Sequence, residues 1–147
     1  MAPSLRASRP ASGPARRRGA AGARHDDPVT TLLIVDDHAG FRTFARALMD
    51  AEGLEVVGEA EDGPSALAEV ARLDPDVVLL DVVLPGLDGF QVCERLASLS
   101  RRPAVVLTSS RDASSYADRV GRSAARGFVA KHALSAEALL TLLEVSS

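Results

Sequence analysis

The sequence predicts an α/β domain in which a five-stranded parallel sheet carries helices on both faces. Five short apolar runs occupy residues 31–35, 54–58, 77–80, 104–107 and 127–130. Each run is continuous rather than alternating, which is typical of strands covered on both faces. Helical patterns separate the runs, and repeated βα units of this kind form a parallel sheet with right-handed crossovers.

Apolar residues that repeat every three or four positions predict a helix after each strand. The clearest stripes are Phe41, Phe44, Ala45 and Leu48; Ala66, Leu67, Val70 and Ala71; Phe90, Cys93, Leu96 and Ala97; and Leu139, Leu140, Leu142 and Leu143. A weaker helix is predicted over about 112–125, and the last one over about 136–145 with Ser135 as its N-cap. Pro64 suits the first turn of the second helix, and the third is predicted to begin near Asp88.

Composition and charge indicate one folded domain with a basic tail. The chain has 147 residues, is 46% hydrophobic and carries a net charge of −3, with +4 in residues 1–28 and −7 in residues 29–147. The tail lacks apolar residues to bury, so we expect residues 1–28 to be disordered and 29–147 to form the domain. Such a tail could contact nucleic acid or an anionic surface, although a solvated extension is the simpler interpretation. With only 3% aromatic residues, the chain is a poor candidate for a base-stacking platform.

The expected location is a reducing cytoplasm. The longest apolar runs hold about four residues, far below the ~20 that span a bilayer, and the arginine-containing start lacks the apolar core of a secretory signal. Cys93 is the single cysteine and lies on the apolar stripe of its helix, so no intramolecular disulfide is possible and a core position is expected.

Polar residues follow four of the predicted strands. The first strand runs into Asp36 and Asp37, the third into Asp81, the fourth into Thr108 and the fifth into Lys131, the only lysine beside 16 arginines. Carboxyl ends of parallel strands meet at one edge, so these side chains are expected to converge. Each alone is commonly a turn or cap residue. Together, three carboxylates carry a charge of −3, which Lys131 and one divalent ion would neutralise. Ligands that are all oxygen atoms favour Mg²⁺ as that ion.

Four segments resemble the motifs of the receiver domain of two-component response regulators. They are IVDDH (34–38), LLDVVLPGLDGF (79–90), VVLTS (105–109) and GFVAK (127–131). The resemblance covers about residues 30–145 and is nearest to receivers that usually carry a helix-turn-helix output domain. It implies a flavodoxin-like fold with strand order 2-1-3-4-5.

The resemblance also implies a Mg²⁺ site. Asp37 and Asp81 are expected to ligate Mg²⁺ directly, together with the backbone carbonyl of Val83. Asp36 is expected to act through a water molecule. Val83 is apolar where some receivers carry a polar group that affects hydrolysis of the phosphorylated state.

The remaining roles concern phosphorylation and its readout. The resemblance implies that Asp81 accepts the phosphoryl group, that Lys131 binds its oxygens, and that Thr108 and Phe128 are the switch hydroxyl and switch aromatic. The face formed by the fourth helix, fifth strand and fifth helix is then the expected signalling surface, with homodimerisation as one possible use. His132 stands where many receivers have proline, and the interval from Thr108 to Lys131 is one residue longer than usual.

We therefore expect a single-domain response regulator, not an enzyme in its own right. It would receive a phosphoryl group from a sensor histidine kinase or a histidine phosphotransfer protein and act on a downstream effector, without a DNA-binding domain and without a membrane. The alternatives are a receiver-like binding module that is never phosphorylated, a DNA-binding regulator that has lost its output domain, and an aspartyl-phosphate phosphatase. The phosphatase normally needs a second Asp where this chain has Val83. His25, His38 and His132 lack metal-ligand spacing and receive no role.

Overall fold

The computed structural model of the protein describes residues 29–145, which contain the predicted parallel sheet. Its strands are β1 (Thr31–Val35), β2 (Glu55–Ala60), β3 (Val77–Asp81), β4 (Ala104–Ser109) and β5 (Gly127–Ala130). All neighbouring strands pair in parallel, in the order β2-β1-β3-β4-β5. The predicted flavodoxin-like architecture and strand order are confirmed. The predicted tail, residues 1–28, lies outside the described residues.

A helix follows each strand, and side-chain hydrogen bonds cap the starts of three of these helices. They are α1 (Ala39–Ala51), α2 (Gly63–Leu73), α3 (Gly89–Ala97), α4 (Ala117–Gly121) and α5 (Ala136–Val145), with 3₁₀ turns at Ala113–Ser115 and Lys131–Ala133. Asp62 and Asp88 each begin a helix with a reciprocal capping box, and Pro64 lies in the first turn of α2 as predicted. The Ser135 hydroxyl accepts the Ala138 N–H at 3.0 Å, which confirms the predicted cap of α5.

The helices cover both faces of the sheet, because alternate strand residues point to opposite sides. Leu33 and Val35 of β1 belong to a core cluster built with α2 and α3, where Cys93 is buried as predicted. Leu32 and Ile34 belong to a second cluster built with α1 and α5. These four residues of β1 are fully buried, which explains the continuous apolar run. Within residues 29–145, no helix is long and apolar enough to cross a membrane.

Three elements differ from the sequence-based expectation by two residues or more. β4 continues to Ser109, beyond the predicted end at residue 107. β2 continues to Ala60, beyond the predicted end at residue 58, because its ladder with β1 extends to the Val35–Ala60 pair. The helix predicted over about 112–125 is reduced to the 3₁₀ turn and the five-residue α4. After α4 the Ser123 hydroxyl accepts the backbone N–H of Ala125 at 3.1 Å, a local bond of the kind that competes with helix formation.

Candidate functional site

The site lies at the carboxyl edge of the sheet, beside the point where the strand order reverses. From β1 the chain crosses to β2 on one side, and β3 pairs with β1 on the other. Asp36 and Asp37 follow β1, and Asp81 ends β3, so the ends of two adjacent strands bring three carboxylates to this point. Open α/β sheets bind ligands at such a crevice. The predicted convergence of these three aspartates is therefore present.

Asp36 is the buried anchor of the pocket. Its side chain is fully buried, and its Oδ1 accepts the backbone N–H of His38 at 2.8 Å. Its Oδ2 lies 2.6 Å from Nζ of Lys131. This contact between a fully buried carboxylate and an ammonium is a charge-assisted ion pair. Asp37, in contrast, is partly exposed at the mouth of the pocket.

Asp81 is nearly buried and has both carboxylate oxygens engaged. Oδ1 accepts the backbone N–H of Val83 at 3.1 Å, and Oδ2 lies 3.3 Å from Nζ of Lys131. Burial raises the pKa of the Asp81 carboxyl to about 6, and the negative charge of Asp36 adds to the rise. The Val83 N–H and Lys131 oppose it. The pocket therefore holds more negative charge than its own lysine neutralises.

The turn after β3 depends on a glycine. Gly89 donates its backbone N–H to the carbonyl of Val82 at 2.8 Å. A Cβ at position 89 would meet the backbone carbonyl of Asp81 and would lie 2.8 Å from Cα of Val82. The absence of a side chain at Gly89 thus lets the start of α3 approach the residue that carries the buried carboxylate.

Lys131 enters the pocket from the end of β5 with its side chain largely buried. Burial alone would lower the pKa of its ammonium, but the contact with Asp36 and the charges of Asp81 and Asp36 raise it. Its Nζ also lies 4.4 Å from the centroid of the Phe41 ring. The following residue, His132, is exposed in a 3₁₀ turn, and no cis peptide bond occurs in residues 29–145.

Thr108 is fully buried at the same level of the sheet as Asp81, with which it pairs in register. Its hydroxyl donates to the carbonyl of Val129 on β5 at 2.6 Å. Phe128, the predicted switch aromatic, is partly buried, with its ring centroid 5.9 Å from that of Tyr116. Tyr116 in turn lies 6.1 Å from Phe90 of α3. An aromatic row thus joins β5 to the start of α3.

Sequence reasoning missed the part that α1 plays in the pocket. His38, which had received no role, places Nδ1 3.2 Å from Oδ1 of both Asp36 and Asp37. Arg42 donates from its guanidinium to the backbone carbonyl of Asp36 at 2.5 Å and to Glu59 of β2 at 3.0 Å. Hydrogen bonds from Arg46 and Arg42 lower the pKa of Glu59 against the effect of its burial.

The donor set fits a divalent cation. One side-chain ligand atom from each of Asp36, Asp37, His38 and Asp81 lies within 4.8 Å of the others. Three of the four are carboxylates, the preferred ligands of hard cations. The raised pKa of Asp81 indicates that added positive charge would be accommodated here.

The fold and this pocket define a flavodoxin-like α/β protein with an acidic, lysine-containing site at the carboxyl edge of its sheet. The family model of the response regulator receiver domain matches residues 32–144. The chain therefore belongs to the response regulator receiver family. Receiver domains are the phosphate-accepting signalling domains of two-component systems, and phosphorylation and magnesium are typical of the family.

Relatives and solved structures agree with this assignment. The chain is 55% identical over 80 residues to protein-glutamate methylesterase/protein-glutamine glutaminase 5 of Myxococcus xanthus, covering 54% of this chain and 23% of that protein. It is 36% identical over 107 residues to response regulator GacA of Pseudomonas viridiflava, covering 72% of this chain and 50% of that protein. The chain thus spans half or less of the length of these two relatives.

Two solved receiver structures share the fold. The signal receiver domain of NarL from Mycobacterium tuberculosis has a TM-score of 0.69 and 34% identity, over 80% of this chain and 95% of that one. The response regulator domain of CheB from Thermotoga maritima has a TM-score of 0.64 and 25% identity, over 80% of this chain and 90% of that one.

Proposed function

We propose that this domain is a Mg²⁺-dependent phosphoacceptor whose Asp81 takes a phosphoryl group from a phosphohistidine. The donor would be a sensor histidine kinase or a histidine phosphotransfer protein. One observation carries the proposal: the Lys131 ammonium stands within 3.3 Å of the Asp81 carboxylate in a buried acidic pocket. Such a pocket provides a nucleophile, a fixed cation and ligands for a metal, which are the parts that phosphoryl transfer needs.

In the proposed transfer, an oxygen of Asp81 forms a bond to phosphorus as the phosphorus–nitrogen bond of the phosphohistidine breaks. Little covalent chemistry is then left to the protein, which acts by positioning and by charge. Lys131 would move from Asp81 to the phosphoryl oxygens, which inherit the negative charge. Because burial raises the pKa of Asp81 only to about 6, its carboxyl is largely ionised at neutral pH and available as a nucleophile.

Mg²⁺ would be held by Asp37, Asp81 and the backbone carbonyl of Val83, with Asp36 acting through a water. When bound, the ion would supply positive charge to the oxygens of the transferred group. Before transfer, the carboxylates are held in place by their neighbours in the pocket. Asp36, fixed by the His38 N–H and by Lys131, would keep the lysine inside the pocket.

Phosphorylation of Asp81 would change the conformation of a protein-binding surface. Thr108 would have to give up its bond to the carbonyl of Val129 to reach a phosphoryl group, and Phe128 could then repack against Tyr116. This movement would reach the face formed by α4, β5 and α5, which we propose binds an effector protein or a second copy. A coupling of about 1–3 kcal/mol between phosphorylation and partner binding would be typical. We further propose that the domain works in the cytoplasm through protein partners.

The test is intact mass after incubation with Mg²⁺ and phosphoramidate. Wild-type protein should gain about 80 Da, labile in base, and EDTA should prevent the gain. Asp81→Asn should abolish it, whereas Asp112→Asn, at an exposed loop position, should not. Equal labelling of Asp81→Asn would move the acceptor elsewhere. No labelling of the wild type, even by a phosphorylated histidine donor, would favour the binding-module alternative.

The switch face has its own test. Hydrogen exchange with and without a beryllium fluoride mimic should change in α4, β5 and α5. Phe128 of β5 already contacts Tyr116, the residue before α4, with ring centroids 5.9 Å apart. Changes confined to α1 would contradict the proposed surface. Either result leaves the assignment of the acceptor untouched, because the mass measurement decides that separately.

A further inference from the structure

Besides two carboxylates, an aromatic ring contacts the Lys131 ammonium in the pocket. Its Nζ lies 4.4 Å from the ring centroid of Phe41, the third residue of α1. We infer that Phe41 is a positioning residue for Lys131, its ring face holding the ammonium where a phosphoryl group on Asp81 would need it. The expected effect on phosphorylation rests on the proposed function, but the contact between the ring and the ammonium can be tested without phosphorylation.

A lysine side chain needs such support because its four-carbon stem is flexible and its ammonium is a point charge without directional preference. Two of the nearby groups are carboxylate oxygens, Oδ2 of Asp36 at 2.6 Å and Oδ2 of Asp81 at 3.3 Å. Both belong to the proposed metal site, and Asp81 is also the proposed acceptor. The carboxylates are therefore shared with other cations or changed by the reaction, whereas the Phe41 ring is not.

The surroundings make the contact effective. The Lys131 side chain is only 16% exposed, and cation–π attraction is strongest where water is excluded. Phe41 packs against the core cluster between the sheet and α1 and α5, so its ring is not free to follow the lysine. The next residue, Arg42, ties α1 to the backbone carbonyl of Asp36 at 2.5 Å. The ring is thus fixed to the same frame as the acidic pocket.

The chain supplies a matched control on the same helix. Phe44 lies one turn after Phe41, with ring centroids 6.2 Å apart. Its side chain points outward and is 55% exposed. Within residues 29–145, the lysine ammonium is placed over the Phe41 ring and not over that of Phe44. Replacing either phenylalanine by leucine removes one ring from α1, but only the change at Phe41 removes the proposed contact.

Because Lys131 is the only lysine, protein grown with ¹³C,¹⁵N-lysine reports this one side chain by NMR. In the metal-free wild type, the ε-methylene protons should be shifted upfield by the ring, and ¹³C relaxation should show a restricted methylene. Phe41→Leu should abolish the upfield shift and lower the order parameter. Phe44→Leu should change neither, and Phe41→Tyr should restore both because tyrosine keeps the ring face.

Should Phe41→Leu fail to fold, trifluorophenylalanine at position 41 keeps the shape and weakens the negative ring face. It should then lower the order parameter of the Lys131 methylene. An ε-methylene with the shift of a free lysine in the wild type would overturn the inference. So would an order parameter that neither Phe41→Leu nor the fluorinated ring changes, because the two carboxylates would then hold the ammonium by themselves.

The rate of phosphorylation provides a functional test of the same contact. With Mg²⁺ and phosphoramidate, Phe41→Leu should accept phosphate about threefold to tenfold more slowly than wild type, the range of a partly desolvated cation–π contact. Phe44→Leu and Phe41→Tyr should react at the wild-type rate. A normal rate in Phe41→Leu would overturn the positioning role. A wild type that takes up no phosphate would instead sink the proposed function, while the NMR comparison would still decide whether the ring holds the ammonium.

Discussion

Replacing Asp81, the proposed acceptor, by asparagine should make the metal-free protein more stable at neutral pH. The Asp81 carboxylate is almost buried beside the fully buried Asp36, with one lysine between them. Asparagine has nearly the same shape as a protonated aspartic acid and carries no charge. It therefore removes the repulsion and the desolvation cost while keeping the packing.

The magnitude follows from the pKa of Asp81, which burial raises from 3.8 to about 6. One pKa unit corresponds to about 1.4 kcal/mol, so ionising this carboxyl costs the folded state at most ~3 kcal/mol. Since the folded pKa exceeds the unfolded one, the stability linked to this group is fully present below about pH 4. It is lost as the pH rises through about 6. The variant should thus equal wild type near pH 4 and exceed it by about 1–3 kcal/mol at pH 7.5.

Urea unfolding followed by far-ultraviolet circular dichroism, in EDTA at several pH values, would measure this difference. Asp112→Asn serves as the control, because this change removes an exposed carboxylate. Mg²⁺ should narrow or reverse the difference, since an ion at 100 times its Kd stabilises the wild type by about 2.7 kcal/mol. An Asp81→Asn protein that is no more stable than wild type at pH 7.5 in EDTA would refute the reasoning about the buried charge.

Three further predictions concern neighbouring residues. Lys131→Arg should fold and accept some phosphate but lose phosphorylation-dependent partner binding. The reason is that the broad guanidinium fork cannot take the place of a compact ammonium. A full binding response of the variant in a pull-down would contradict this prediction. Gly89→Ala should lower the unfolding free energy in urea by about 1–3 kcal/mol through its clash with the backbone at the end of β3, whereas Gly40→Ala, with open space around it, should not. Arg42→Met should lower the free energy of unfolding by about 1–2 kcal/mol at pH 7, because it leaves Glu59 with one arginine partner. The folded pKa of Glu59 is lowered, so this loss should shrink below about pH 4 as Glu59 is protonated. A loss that stays constant with pH would count against the ion pair.

Much of the fold follows from short-range patterns. The apolar runs at 31–35 and 127–130 match β1 and β5 residue for residue. In β1 the reason is burial on both faces, which makes a parallel strand apolar along its length. The end of β2 could not be located in this way. Glu59 and Ala60 belong to that strand only because β1 pairs with them, and a glutamate with two arginine partners does not interrupt the sheet.

The sequence by itself determined which groups gather at the site. Asp36, Asp37, Asp81 and Lys131 follow strands, and parallel strands end at one edge whatever the details of packing. Only the tertiary structure decided how α1 is rotated against the sheet. That rotation brings His38 beside the aspartates and the Phe41 ring over the ammonium. The apolar stripe of α1 includes both Phe41 and Phe44. Only packing against residues distant in the chain decides that Phe41, and not the 55% exposed Phe44, lies over the ammonium.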